Sequence, residues 1–142
     1  MKNKIIKIPV LIAALTLGFF SHDIIEAIKP APQQITYCEA SISGCQNNGV
    51  TIKMDSDVAK AMQPTAINID WPNQASDTLL VELEGKEMHM GVAKFVLQRD
   101  HGNKFTGSLL LPACHSEKMT WIGKVSAPDT PQSIPLLVRM EK

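Results

Sequence analysis

The sequence predicts an all-β domain carried behind a hydrophobic N-terminal helix. Three observations predict it. The opening stretch MKNKIIKIPVLIAALTLGFF sets lysines ahead of an uncharged apolar run. Beyond residue 49, seven short stretches alternate apolar and polar side chains, which is the period of a half-buried strand. Hydrophobic residues make up 44% of the 142, enough to build a core and too many for a disordered chain.

Residues 1–28 are expected as a signal-anchor, a single transmembrane helix. Lys2, Lys4 and Lys7 precede the uncharged run 8–20, the layout of an export signal. The positive-inside rule keeps those lysines cytoplasmic and sends the rest of the chain outward. The run is short against the about 20 residues that span a bilayer. Ile5 and Ile6 extend it if Lys7 snorkels to the headgroups, and Ile24, Ile25 and Ile28 continue the stripe at helical spacing. No small-x-small cleavage site follows Phe20, so an uncleaved anchor is expected ahead of the alternative, a cleaved signal peptide. No cysteine sits just after the run, which argues against a lipoprotein.

KPAPQQ, residues 29–34, is a Pro-rich break. It opens a linker, 29–48, that carries Cys38 and Cys45 in the stretch CEASISGC. An exported chain permits disulfides, and a bridge here would pin the start of the domain. That would leave Cys114 as an odd thiol, but spacing leaves the pairing of the three cysteines open.

Residues 49–142 are expected to form the β domain. Its seven strands are 50–54, 65–71, 78–84, 91–98, 104–111, 119–125 and 133–140. In the first, Val50, Ile52 and Met54 share a face. In the second, Ile67, Ile69 and Trp71 do, and in the third Leu79, Val81 and Leu83 alternate with Leu80, Glu82 and Glu84. PNQASD, RDHGN, PACHSE and SAPDTP supply turns between strands. The helical exception is 55–62 in SDVAKAMQP, read as one or two turns stopped by Pro64. Seven strands in about a hundred residues is the size of an immunoglobulin-like β-sandwich.

Formal net charge is zero, but without the three leading lysines 11 basic residues stand against 14 acidic. No basic patch interleaved with aromatics appears, which argues against nucleic acid as a partner. Catalysis lacks a signature: there is no Gly-x-Ser-x-Gly, no His-Glu-x-x-His and no Cys-x-x-Cys. The chain is therefore read as a non-enzyme.

The side chains that carry chemistry fall in two clusters. GKEMHMG, residues 85–91, holds Met88, His89 and Met90. LPACHSEKMTW, residues 111–121, holds Cys114, His115 and Met119. Thioether, thiolate and imidazole together suit Cu(I), with zinc second. On a regular strand Met88 and Met90 would face one way and His89 the other, so a bulge or turn at Gly85 or Gly91 would be needed to gather all three. In an up-and-down arrangement the fourth strand starts where the fifth ends, which would bring both clusters to one end of the domain. The competing reading places the methionines in the core, with Met119 on the same face as Trp121. His22, beside the apolar run, and His101, in a hairpin turn, carry less information.

The anchor, MHMG, FTGSLLLPACHSEKMTW and the apolar last strand together resemble small membrane-anchored exported proteins of proteobacteria encoded near Sco-type copper chaperones and haem-copper oxidase genes. They also resemble, more distantly, the FixH- and YtkA-like β-sandwich group. The likeness covers residues 78–140. It implies a periplasmic accessory on the bacterial inner membrane, acting in copper delivery or oxidase assembly beside a copper chaperone or an oxidase subunit. Carried onto this chain, it makes Met88, Met90, Cys114 and Met119 the metal-side candidates, with His89 and His115 as alternates. The Cys-x-x-x-Cys of Sco-type proteins is absent, so the chain would be a partner of such a chaperone rather than one itself.

Overall fold

A computed structural model describes residues 35–113 and 115–142. The expected anchor (1–28), the Pro-rich break (29–34), His22 and Cys114 lie outside the described residues. The described part falls within one compact unit, Ile35–Lys142.

Ten strands form among the described residues. They are β1 (Cys38–Glu39), β2 (Cys45–Asn47), β3 (Val50–Met54), β4 (Ala59–Lys60), β5 (Pro64–Asp70), β6 (Thr78–Gly85), β7 (Val92–Arg99), β8 (Lys104–Leu110), β9 (Lys118–Ser126) and β10 (Ser133–Glu141). The domain is all-β, as the alternation predicts. β5 shows the cause most plainly: Thr65, Ile67 and Ile69 are buried, while Pro64, Ala66, Asn68 and Asp70 face water. The seven periodic stretches are β3 and β5 to β10, within a residue or so at each end. The count rises to ten because β1, β2 and β4 span only two or three residues, too short to show a period.

The helix expected over 55–62 does not form. Ala59 and Lys60 pair in parallel with Met140 and Glu141 of β10. Met62 follows at φ 60°, outside helical space. A segment this short cannot meet the cost of helix nucleation unaided, so a tertiary pairing prevails.

The strands make one sheet in the order β1-β10-β9-β6-β7-β8-β5-β3-β2, with β4 beside β10. All pairs are antiparallel except β1 and β4 with β10. The sheet curls almost into a barrel around one core that includes Ile52, Ile67, Leu83, Phe105, Trp121 and Val138. Its first and last strands are joined covalently, because Cys38 of β1 is disulfide-bonded to Cys45 of β2, with Cα atoms 5.6 Å apart. The pairing that spacing left open is thus between the two nearest cysteines. A second staple lies at the β7–β8 turn. Arg99 donates to the carbonyls of Gln74, Ser76 and Gly102 and to the Asp77 carboxylate, and its guanidinium stacks 4.6 Å above the Phe105 ring.

Candidate functional site: a methionine-rich rim

One rim of the barrel is built from four segments. β6 ends at Gly85, directly opposite Trp121 of β9. The connection 86–91 therefore starts beside the entry to β9. The Lys86 amide donates to the Thr120 carbonyl (2.9 Å), and the Thr120 amide donates to the Glu87 carboxylate (2.9 Å). The connection 111–117 feeds into the same strand from β8. The segment 55–63 joins through Met62, whose amide donates to the Leu111 carbonyl (2.9 Å). The C-terminus closes the rim: Lys142 donates from its amide to the Glu117 carbonyl (3.0 Å) and from Nζ to the His115 carbonyl (3.3 Å).

Backbone pairing puts the described parts of both sequence clusters at the same rim, with a third segment beside them. Met88, His89 and Met90 sit in the connection itself, ahead of β7, and all are exposed. The strand alternation that would set His89 opposite the two methionines therefore does not operate. Gly91, at φ +82°, makes the turn into β7. His115 is also exposed, in the 111–117 connection. Met119 is different: it is 3% exposed, on the inner face of β9 with Trp121. Its methyl group and the Met88 carbonyl both press against the position a side chain at Gly85 would occupy. Gly85 is one contact point between the clusters, beside the Lys86 and Glu87 bonds to Thr120, and it requires the smallest residue.

Met62 was not a sequence candidate, because its segment reads as helical. It is 63% exposed, against 40% for Met88 and 37% for Met90. The six methionines after Met1 all lie toward this end of the domain. Met54, Met119 and Met140 are buried, whereas Met62, Met88 and Met90 face solvent. The only local signal for Met62 is Pro64 two residues later, which marks a turn.

Electrostatics at the rim is set by carboxylates with fixed partners. The Thr120 amide holds the Glu87 carboxyl below its ordinary value, against the opposing effect of burial. Lys60, 2.6 Å from Glu141, does the same for that carboxyl. These acids are already engaged. Among the described residues, no three His, Cys, Asp or Glu side chains are grouped to hold an ion. Beside exposed Lys86, Glu117 and Lys118, the rim presents exposed thioether and imidazole, a donor set suited to soft ions and to hydrophobic or aromatic partners.

Compared with known proteins, the chain matches no family model, no curated protein and no solved structure.

Proposed function

We propose that this protein is a non-enzymatic, membrane-anchored periplasmic accessory that binds copper as Cu(I) on its methionine-rich rim, for copper handling or cytochrome oxidase assembly. The observation that supports the reading is three solvent-facing methionines, Met62, Met88 and Met90, on connections at the same end of the domain as those that carry His89 and His115. These methionine side chains are 37–63% exposed, so each forfeits part of the about 1.5–3 kcal/mol that full burial gives. Three thioethers at one end, drawn from two separate connections, are available to a soft ion. Thioethers bind Cu(I) without releasing a proton, and neutral imidazoles or a Cys114 thiolate would complete the set. Met119 lies beneath as support. The export-signal layout of residues 1–28 supports an inner-membrane anchor with the domain outside the cytoplasm, where a copper chaperone or an oxidase subunit is the fitting partner.

The test is competition for Cu(I) between the full chain and a chelator. Met62→Leu, Met88→Leu and Met90→Leu combined are expected to weaken binding at least about tenfold, or ~1.4 kcal/mol. Met54→Leu, a volume-conserving change in the core, leaves it unchanged. Full affinity in the triple variant would sink the copper reading.

A second reading, an interaction module without metal, is favoured by the burial of the other three methionines and by the structural disulfide. In it the same triple variant keeps its partner, and exposed thioethers serve only as adaptable contact surface.

A further inference from the structure

β7 pairs with β6 from end to end, Thr78 opposite Gln98 through to Glu84 opposite Val92. On its other side it meets β8 at only two positions, Gln98 with Thr106 and Arg99 with Phe105. Residues 92–96 are therefore a sheet edge among the described strands. The hydrogen bond from the Arg99 amide to the Asp77 carbonyl (2.8 Å) fixes which backbone groups point where. In an antiparallel ladder these directions alternate, so odd residues of β7 bond to β6 and even residues turn away. Among the described residues, the backbone groups that turn away from β6 with no ladder pairing to β8 are those of Val92, Lys94 and Val96. The flanking side chains are apolar: Val92 is 55% and Val96 58% exposed, and Ala93 and Phe95 are only partly buried against the core.

We propose that this edge pairs with the same edge of a second copy of the chain, antiparallel about a two-fold axis. The register follows from the free groups. Gln98 is already paired, so the alignment that uses all three free residues on both copies sets Lys94 opposite Lys94 and Val92 opposite Val96. The intervening positions then place Ala93 opposite Phe95, small against large, on the face that is half-open in the monomer. Such an isologous contact extends one sheet into the next. An edge lysine ordinarily guards against this pairing. Here Lys94 lies 2.9 Å from Glu82 of its own chain, a carboxylate it shares with Lys124 at 3.6 Å, which offsets part of the repulsion at the dyad.

The test is sedimentation of the full chain in density-matched detergent across dilution, with hydrogen exchange read by mass spectrometry. The expected result is a reversible dimer with slowed exchange at residues 92–96. Val96→Pro removes an amide that the β6 ladder does not use, so it yields folded monomer. Val96→Lys, at an exposed position, does the same should the proline variant fail to fold. Glu82→Gln weakens the dimer at low salt, and high salt restores it by screening the paired lysines. A chain that is monomeric at every concentration overturns the proposal. So does a dimer untouched by both Val96 variants. Protection extending equally to Ser108 and Leu110 also overturns it, since that marks a different strand seated between β7 and β8.

Discussion

Gly85 holds two connections together by having no side chain. A methyl group there would collide with the Met119 side chain and the Met88 carbonyl, and one of these is backbone. Gly85→Ala is expected to cost about 1–3 kcal/mol, the usual range for overpacking, and to lower the urea midpoint at unchanged m. Arg99 works in the opposite sense, by reaching four acceptors at once. Lysine keeps the charge but cannot present a planar fork to four oxygens. Arg99→Lys should destabilise by about 1–3 kcal/mol in the same assay, because the part-buried Gln74 and Ser76 carbonyls lose a charged donor. Neither role is legible from residue type. Gly85 reads as a turn glycine and Arg99 as a surface charge until the fold shows what each one meets.

At the scale of strands, period-two alternation located β3 and β5 to β10, since each long strand turns alternate side chains toward the core, fully buried or, as for Ala93 and Phe95 of β7, partly so. It could not locate β1, β2 or β4, which are too short to show a period; β1 and β4 also pair with β10, distant in sequence. The helical reading of 55–62 failed for the same cause, and it hid Met62. Cross-strand charge is also decided between elements. Glu82 of β6 stands opposite both Lys94 of β7 and Lys124 of β9. Its carboxyl is held below the ordinary value chiefly by the hydrogen bond from Lys94, with Lys124 adding to the effect. A carboxyl lowered on folding contributes stability above its unfolded pKa, about 4.3, and loses it as pH falls through the folded value. The stability difference between wild type and Glu82→Gln should therefore be full near neutrality and vanish at low pH. A urea titration at several pH values checks this. A difference that persisted at low pH would point to packing rather than charge.

At the scale of the whole domain, the disulfide joins what the hydrogen bonds leave apart. Cys38 and Cys45 link the first and last strands of the sheet, and the chain between them carries further ties. The Ala40 amide donates to Leu137 of β10, and the Met54 amide at the end of β3 donates to Ser41. Replacing both cysteines by serine should cost about 2–3 kcal/mol, the range for a short loop. Exchange at the Ala40 and Met54 amides should quicken before that of central β6 and β9; uniform loss of protection would mean the bridge supports the barrel globally. By itself the sequence determined the all-β class, the seven long strands and the presence of two sulfur-bearing clusters, because alternation and turn residues act over a few neighbours. Only the tertiary structure decided that the clusters share a rim with Met62, that Met119 is core while Met88 and Met90 face water, and that Cys38 takes Cys45. Those outcomes depend on strand order and register, set by burying one common core, and no local stretch of chain carries that information.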